Sequence, residues 1–288
     1  MPARELIGKN LWLVVLLATG ASYLEAAPQG VTPASVERTF LGADDKPLPF
    51  KNDEEVLNFL RDAEVVEENE IGTGINRSLK VLLEKDGVRA NGIFRETDKS
   101  DPDIRVGGIN YRLFRDSYLF EPAAYHLALQ LGITSIPPVV RREVDSRDGS
   151  VQIWIEETLD EESKGFTPPD ISAWIRQLRD MFLFDAFIYN PDRNGGNILV
   201  TPDYKLIMID HTRGFQEKRD VLDPDHLNLV NSGTWERFQS LTDEEIRDAV
   251  RPYLTPQEMT QLVVRRKTII EYVNGLIAQR GRDGVVIP

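Results

Sequence analysis

One stretch, NPDRNGGNILVTPDYKLIMIDHTRGF over residues 190–215, constrains this chain more than any other. ILV at 198–200 and LIMI at 206–209 are short apolar runs separated by TPDYK, whose Pro and Asp are turn residues, so the spacing predicts a small hairpin. Asn197 enters its first strand and Asp210 leaves its second, which brings both side chains to the same end. Asp192 lies five residues before Asn197 (197 − 192 = 5), and Asp210 lies thirteen after it (210 − 197 = 13). Two carboxylates and an amide oxygen suit Mg²⁺, a hard cation that keeps several waters and takes one or two protein carboxylates plus phosphate oxygens. A calcium loop of the EF-hand type fails on spacing, because one starting at Asp192 needs Glu at its twelfth position and has Asp203. The loop alone leaves a second reading open, a tight surface turn built on Asn194-Gly195.

Upstream, EIGTGINRSLKVLLEKDGVRANGIFRETD reads as a glycine turn followed by a hairpin about Asp86-Gly87. Gly72 and Gly74 permit close approach of backbone to a phosphate, although such pairs are usually plain turns. Arg95 follows the second strand. Next, Ala123, Leu127 and Leu131 recur every fourth residue in FEPAAYHLALQLG, which predicts a helix packed on the sheet and stopped by Gly132. Glu121 at its head has two readings, a partner for Arg95 or a helix cap, and Pro122 behind it favours the cap.

Taken in order, GTGIN, GIFR, FEPAAYHLALQLGITSIPPVV, NPDRNGGNILV and LIMIDHTRGF resemble an uncharacterised bacterial branch of the atypical kinases. That group includes the secretory-pathway casein kinases of the Golgi, the type II phosphatidylinositol 4-kinases and the HipA-type toxin kinases. The resemblance spans about residues 55–215 and implies an α+β, two-lobed protein-kinase-like fold. Its small lobe would hold an antiparallel sheet and one helix; its larger lobe would be mostly helical. It further implies that Asp192 orients or deprotonates a hydroxyl acceptor and that Asn197 and Asp210 hold Mg²⁺ or Mn²⁺. Gly72, Thr73 and Gly74 would cover the phosphates of ATP, with Arg95 contacting them and Glu121 pairing with Arg95. Kinases commonly carry Lys where Arg95 stands, and guanidinium is a planar fork rather than a point charge. That departure and Pro122 keep a nucleotide-binding module without turnover as an alternative, together with nucleotidyl transfer on the same scaffold.

Organisation follows from composition and periodicity. Arg4 and Lys9 precede the apolar run LWLVVLLA and then small residues, the layout of an export signal over 1–27, cleaved after Gly20 or Ala27. Eight apolar residues are too few for a stable transmembrane anchor, so the segment predicts a periplasmic or secreted protein, or a cytoplasmic one if the signal does not function. Export would leave the enzyme without a ready supply of ATP. Residues 28–52 read as an extended lead-in, 53–157 as the small lobe with a helix near 52–66, and 158–288 as the large lobe. IWIEE at 153–157 reads as the strand entering the hinge. Ile171, Trp174, Ile175, Leu178, Met181 and Phe182 predict the apolar face of a helix delivering the 190–197 loop. Thr255, Pro256 and Glu258 match a capping box, and Arg265, Arg266 and Lys267 read as a solvated basic face. A net charge of −13 argues against a nucleic-acid partner, and the absence of Cys excludes disulfides and thiolate chemistry. His211 reads as packing beside Asp210 rather than as a base.

Overall fold

A computed structural model describes residues 31–71, 78–159 and 167–288. The small lobe opens with helix α1 (Asp53–Asp62), which Asn52 caps by accepting from the Glu55 amide while three acidic residues fill its first turn. Strands β1 (Glu64–Glu70), β2 (Ser78–Lys85) and β3 (Val88–Arg95) follow, with β2 and β3 turning at Asp86-Gly87 as their alternation predicts. The hairpin of β4 (Asp98–Val106) and β5 (Ile109–Ser117) stands apart as its own two-stranded sheet. Helix α2 (Phe120–Gln130) comes next, then β6 (Val139–Val144) and β7 (Arg147–Ile153). The main sheet has the order β1-β2-β3-β7-β6 and is antiparallel throughout. Strand β7 ends at Ile153, not at 157; Trp154–Leu159 is an irregular connector.

The larger lobe is mainly helical. Helix α3 (Ile171–Ile188) leads to the hairpin of β8 (Ile198–Val200) and β9 (Leu206–Met208), then helices α4 (Ser232–Ser240), α5 (Asp243–Val250) and α6 (Pro256–Arg280). A short parallel pair, β10 (Val230–Asn231) with β11 (Val286–Ile287), ties the C-terminal end down. The Thr255–Glu258 capping box forms as its sequence predicts. On α3, Met181 is buried and Trp174, Leu178 and Phe182 pack against the core, but Ile171 is 52% exposed at the helix start, where the stripe runs past the edge of its neighbours. No described helix is long and apolar enough to cross a membrane.

Residues 31–52 are part of the fold rather than a spacer. Val36, Phe40 and Leu48 enter the core, and Arg38 donates to both carboxylate oxygens of Asp53 and to the carbonyls of Thr134 and Ile136. Asp53 is fully buried and also accepts from the Tyr125 hydroxyl at 2.8 Å, so one carboxylate joins the lead-in, α1 and α2. Removing one partner of a buried pair strands the other. Asp53→Ala is therefore expected to lower stability by about 3–5 kcal/mol in urea denaturation, whereas replacing the pair together by Arg38→Met with Asp53→Leu costs much less.

Candidate active site

The loop carrying Asp192 is shaped by the abrupt end of α3. Tyr189 takes a left-handed conformation (φ 51°), which stops the helix, and the Asn190 amide bonds back to the Asp185 carbonyl at 2.9 Å. Asn190 Oδ1 then accepts from the Asp192 backbone N–H. A single turn of 3-10 helix, Gly195–Asn197, capped by Asn194, feeds into β8.

Arg193 fixes this geometry. Its guanidinium forks onto the Asp185 carboxylate (Nε–Oδ2 2.9 Å, Nη2–Oδ1 3.0 Å), and Nη1 donates to the carbonyls of Asn197 (2.7 Å) and Ile209 (2.8 Å). Those carbonyls belong to Asn197 itself and to the residue before Asp210. The Ile209 amide also bonds to the Asn197 carbonyl at 3.2 Å, so the β8–β9 hairpin closes beside both candidate metal ligands. Asn197 Nδ2 donates to the Asp192 carbonyl at 2.9 Å, which leaves its Oδ1 as the available acceptor. Asp210 is left-handed (φ 56°), a conformation Asp tolerates better than most residues, and its Oδ1 accepts from the Thr212 hydroxyl at 3.0 Å. Burial raises the affinity of Asp192 for a proton, Arg213 opposes that rise, and the Asp210 and Asp116 carboxylates add to it.

On the small-lobe side, Arg95 and Glu121 are both buried and lie 3.5 Å apart. Glu121 does not cap α2, whose N-cap is Leu119. Its carboxylate turns inward and accepts from the His211 amide at 3.2 Å, with His211 Nδ1 at 3.4 Å. The glutamate thus joins β3, α2 and the residue after Asp210. Burial alone would push its carboxyl up, but Arg95 and then His211 outweigh it and hold it at about 2. Arg95 directs Nε toward Glu121 and keeps Nη1 buried without a hydrogen-bond partner among the described residues. A buried donor of this kind calls for an acceptor, and a phosphate oxygen meets that need.

Arg95 also lines a cavity of about 120 Å³ walled by Ile93, Ile153, Leu199 and Ile209, with Thr158 at its mouth. The backbone of Ile155–Thr158 makes no backbone hydrogen bond to other described residues, which leaves polar edges beside an apolar slot. A larger hollow of about 570 Å³ lies between the lead-in, the connector and the β8–β9 turn. The smaller cavity differs in carrying Arg95 and Ile209, the residue before Asp210.

Among the described residues no group of three or more His, Cys, Asp and Glu is poised around a metal. A cation here would rest on Asp210 and the Asn197 amide, with the rest of its shell supplied by water and phosphate. That sparse oxygen set fits Mg²⁺ or Mn²⁺ beside a nucleotide and would suit zinc poorly. The expected phosphate-covering turn, Gly72, Thr73 and Gly74, lies outside the described residues.

Sequence reasoning missed Arg193 and Arg213. Arg213 donates from Nε to Asp116 Oδ2 at 2.9 Å and from Nη1 to Asp192 Oδ2 at 3.2 Å. Nothing in the local pattern signals either contact, since the partners lie on other elements. The basic run at 265–267 is corrected as well. Arg265 and Arg266 are buried, the first held by the carbonyls of Phe187, Gln216 and Lys218, and burial pulls its guanidinium down to about 9.

No family model and no curated protein sequence matches the chain. Solved structures do. A hydra Fam20 protein, solved with sugar, superposes with a TM-score of 0.61 at 16% identity, covering 81% of this chain and 91% of that one. The Golgi casein kinase with Mn/ADP bound gives 0.57 at 14% identity, covering 81% and 78%. The Helicobacter pylori proinflammatory kinase CtkA gives 0.51 at 12% identity, covering 76% and 97%. The chain therefore has the two-lobed α+β fold of the atypical kinases.

Glu121 supplies a prediction with a fixed sign. Its folded pKa, about 2, lies below the ordinary 4.5, so its contribution is complete above about pH 5 and is lost as pH falls toward 2. Unfolding free energies from urea denaturation, followed from pH 7 to pH 2, should fall more steeply for the wild type than for Glu121→Gln, by roughly 3 kcal/mol over that window.

Proposed function

We propose that this protein is a metal-dependent phosphotransferase that moves the terminal phosphoryl group of a nucleoside triphosphate, ATP in the first instance, to a hydroxyl acceptor. The observation that carries the reading is the closure of one loop and one hairpin around Asp192, Asn197 and Asp210 by Arg193, with the Arg95 Nη1 donor left without a hydrogen bond on the small-lobe side. The kinase-like scaffold supports it, and the Mn/ADP complex of the Golgi casein kinase supports a nucleotide and a divalent metal as its ligands. The sugar in the hydra Fam20 structure is consistent with a hydroxyl acceptor.

The residues divide the work. Ile93, Leu199 and Ile209 would sandwich an adenine ring, and the bare Ile155–Thr158 backbone would meet its polar edge. Arg95, oriented by Glu121 at Nε, would hold the donor phosphates through Nη1. A divalent cation held by Asn197 and Asp210 would neutralise phosphate charge and fix the donor's orientation. Asp192 would align the acceptor hydroxyl and take its proton. Its raised proton affinity, caused first by burial, moves it toward the range of a useful base. Catalysis would come from placement and electrostatics rather than from a covalent intermediate. An export signal in residues 1–27 would put this chemistry outside the cytoplasm.

Two substitutions separate binding from transfer. Asp210→Asn should abolish thermal stabilisation by Mg·ADP. Asp192→Asn should keep that stabilisation and lower transfer of radiolabelled phosphate by about 10²–10⁴-fold. Transfer surviving both would sink the assignment, while stabilisation of the wild type with no labelled product would make the protein a nucleotide-binding module. Mass spectrometry of the acceptor tells a phosphate adduct from a nucleotidyl one.

A further inference from the structure

We propose that Arg213 is a further catalytic residue of this site, the guanidinium that neutralises the phosphoryl group as it passes to the acceptor. The proposal rests on the phosphotransferase reading. Arg213 is anchored through Nε to Asp116, at the end of β5, and reaches Asp192 through Nη1. Its Nη2 takes part in neither pair. The side chain is 22% exposed and that of Asp192 36%, so both border solvent where an acceptor would arrive.

Distance makes the case. An acceptor hydroxyl must lie within hydrogen-bond reach of Asp192, and the phosphorus it attacks must lie about 3–3.5 Å from that hydroxyl. Asp192 Oδ2 is already bonded to Arg213, which leaves Oδ1 for the hydroxyl. The equatorial phosphoryl oxygens then fall within reach of a guanidinium whose Nη1 is 3.2 Å from the other oxygen of the same carboxylate. In the transfer, the acceptor's lone pair forms the new P–O bond as its proton passes to Asp192. The bond from phosphorus to the bridging oxygen breaks, and its electron pair stays on the nucleoside diphosphate.

Charge makes the need. The group in flight is anionic and approaches Asp192 with Asp116 and Asp210 close by, an arrangement that repels it unless a cation stands on the acceptor side. Arg193 cannot serve, because its Nε, Nη1 and Nη2 all bond to Asp185, Asn197 and Ile209. Arg95 is tied to Glu121 on the small-lobe side. Arg213 touches the proposed base itself, and its fork can hold Asp116 while offering donors to phosphate, which a lysine could not reproduce.

The test compares full-length wild type, Arg213→Gln and Arg213→Lys. Calorimetry measures binding of Mg·ADP with and without aluminium fluoride, a mimic of the phosphoryl group in flight, and labelled triphosphate measures turnover. Arg213→Gln should bind Mg·ADP within about threefold of wild type, lose the extra affinity that fluoride confers, and lose about 10²–10³-fold in kcat with little change in KM. Arg213→Lys should recover only a minor part, and it carries the comparison if the Gln variant does not fold. Equal tightening by fluoride in wild type and variant overturns the proposal alone, as does a wild type that fluoride does not tighten. Parallel loss of melting temperature, Mg·ADP affinity and kcat would make Arg213 merely structural and also overturns it. A wild type that does not bind Mg·ADP ends the phosphotransferase reading, and the role of Arg213 with it.

Discussion

The buried ion pair of Arg193 with Asp185 is the constraint on which the candidate site depends. Each side chain is 8% exposed, so both charges have left water at a cost that only close geometry and additional bonds can offset. Both are present here. The fork is bidentate, Asn190 adds a third bond to the same carboxylate, and the remaining guanidinium donor spans two carbonyls. Because those carbonyls flank the hairpin, the pair ties the loop that holds Asp192 to the open end of the hairpin, where Asn197 and Asp210 lie just outside its two strands. The strands, three residues each, are held together by their own antiparallel pairing, and Arg193 fixes where that pair sits relative to the loop.

The second constraint is docking between the lobes. The β4–β5 hairpin emerges from the small lobe, yet Tyr111 and Phe114 pack with Tyr189 from the end of α3. Arg115 exchanges backbone bonds with the Gln216 side chain and forks onto Glu258 of α6, and the Ser117 amide bonds to the Thr212 carbonyl. Asp116 sits between those last two anchors and holds Arg213. The segment after Asp210 is therefore gripped by Glu121 at His211, by Ser117 at Thr212 and by Arg115 at Gln216. Three successive contacts leave it little freedom to leave the site, so the position of Asp210 is set jointly by α2 and β5.

What the sequence disclosed and what it withheld follow one physical rule. The β2–β3 and β8–β9 hairpins, the helices α2 and α3 and the start of α6 were legible because their signals are local: alternation, turn residues, recurring apolar positions and a capping box. The approach of the Asn197 and Ile209 backbones was legible because a hairpin enforces it. The β4–β5 hairpin was not, since DKSDPDIRV is exposed almost throughout, carries a proline and shows no alternation; its outer strand is defined by pairing to β5 alone. The direction of Glu121 was equally hidden. Proline behind it argues for a cap, and only the tertiary positions of Arg95 and His211 turn the carboxylate inward. Arg193 escaped because two of its acceptors are backbone carbonyls, which no side-chain pattern marks, and Arg213 because its carboxylates lie on β5 and in the loop before β8.

The misread basic run at 265–267 points to a habit of the whole molecule. Helix carbonyls at a C-terminus lack intrahelical donors and carry partial negative charge, and arginine offers five donors in a rigid fork. Arg142 donates to the carbonyls of Leu60 and Ala63 at the end of α1, and Arg237 to Gln130 at the end of α2. Arg265 does the same at Phe187 of α3, and Arg266 at Phe238 and Gln239 of α4. Four successive helices are thus closed by arginines from other elements, each satisfying carbonyls that would otherwise be buried without partners. Arg193 follows the same pattern at the hairpin beside the site. Arg213 departs from it, because both its partners are carboxylates and its side chain is 22% exposed.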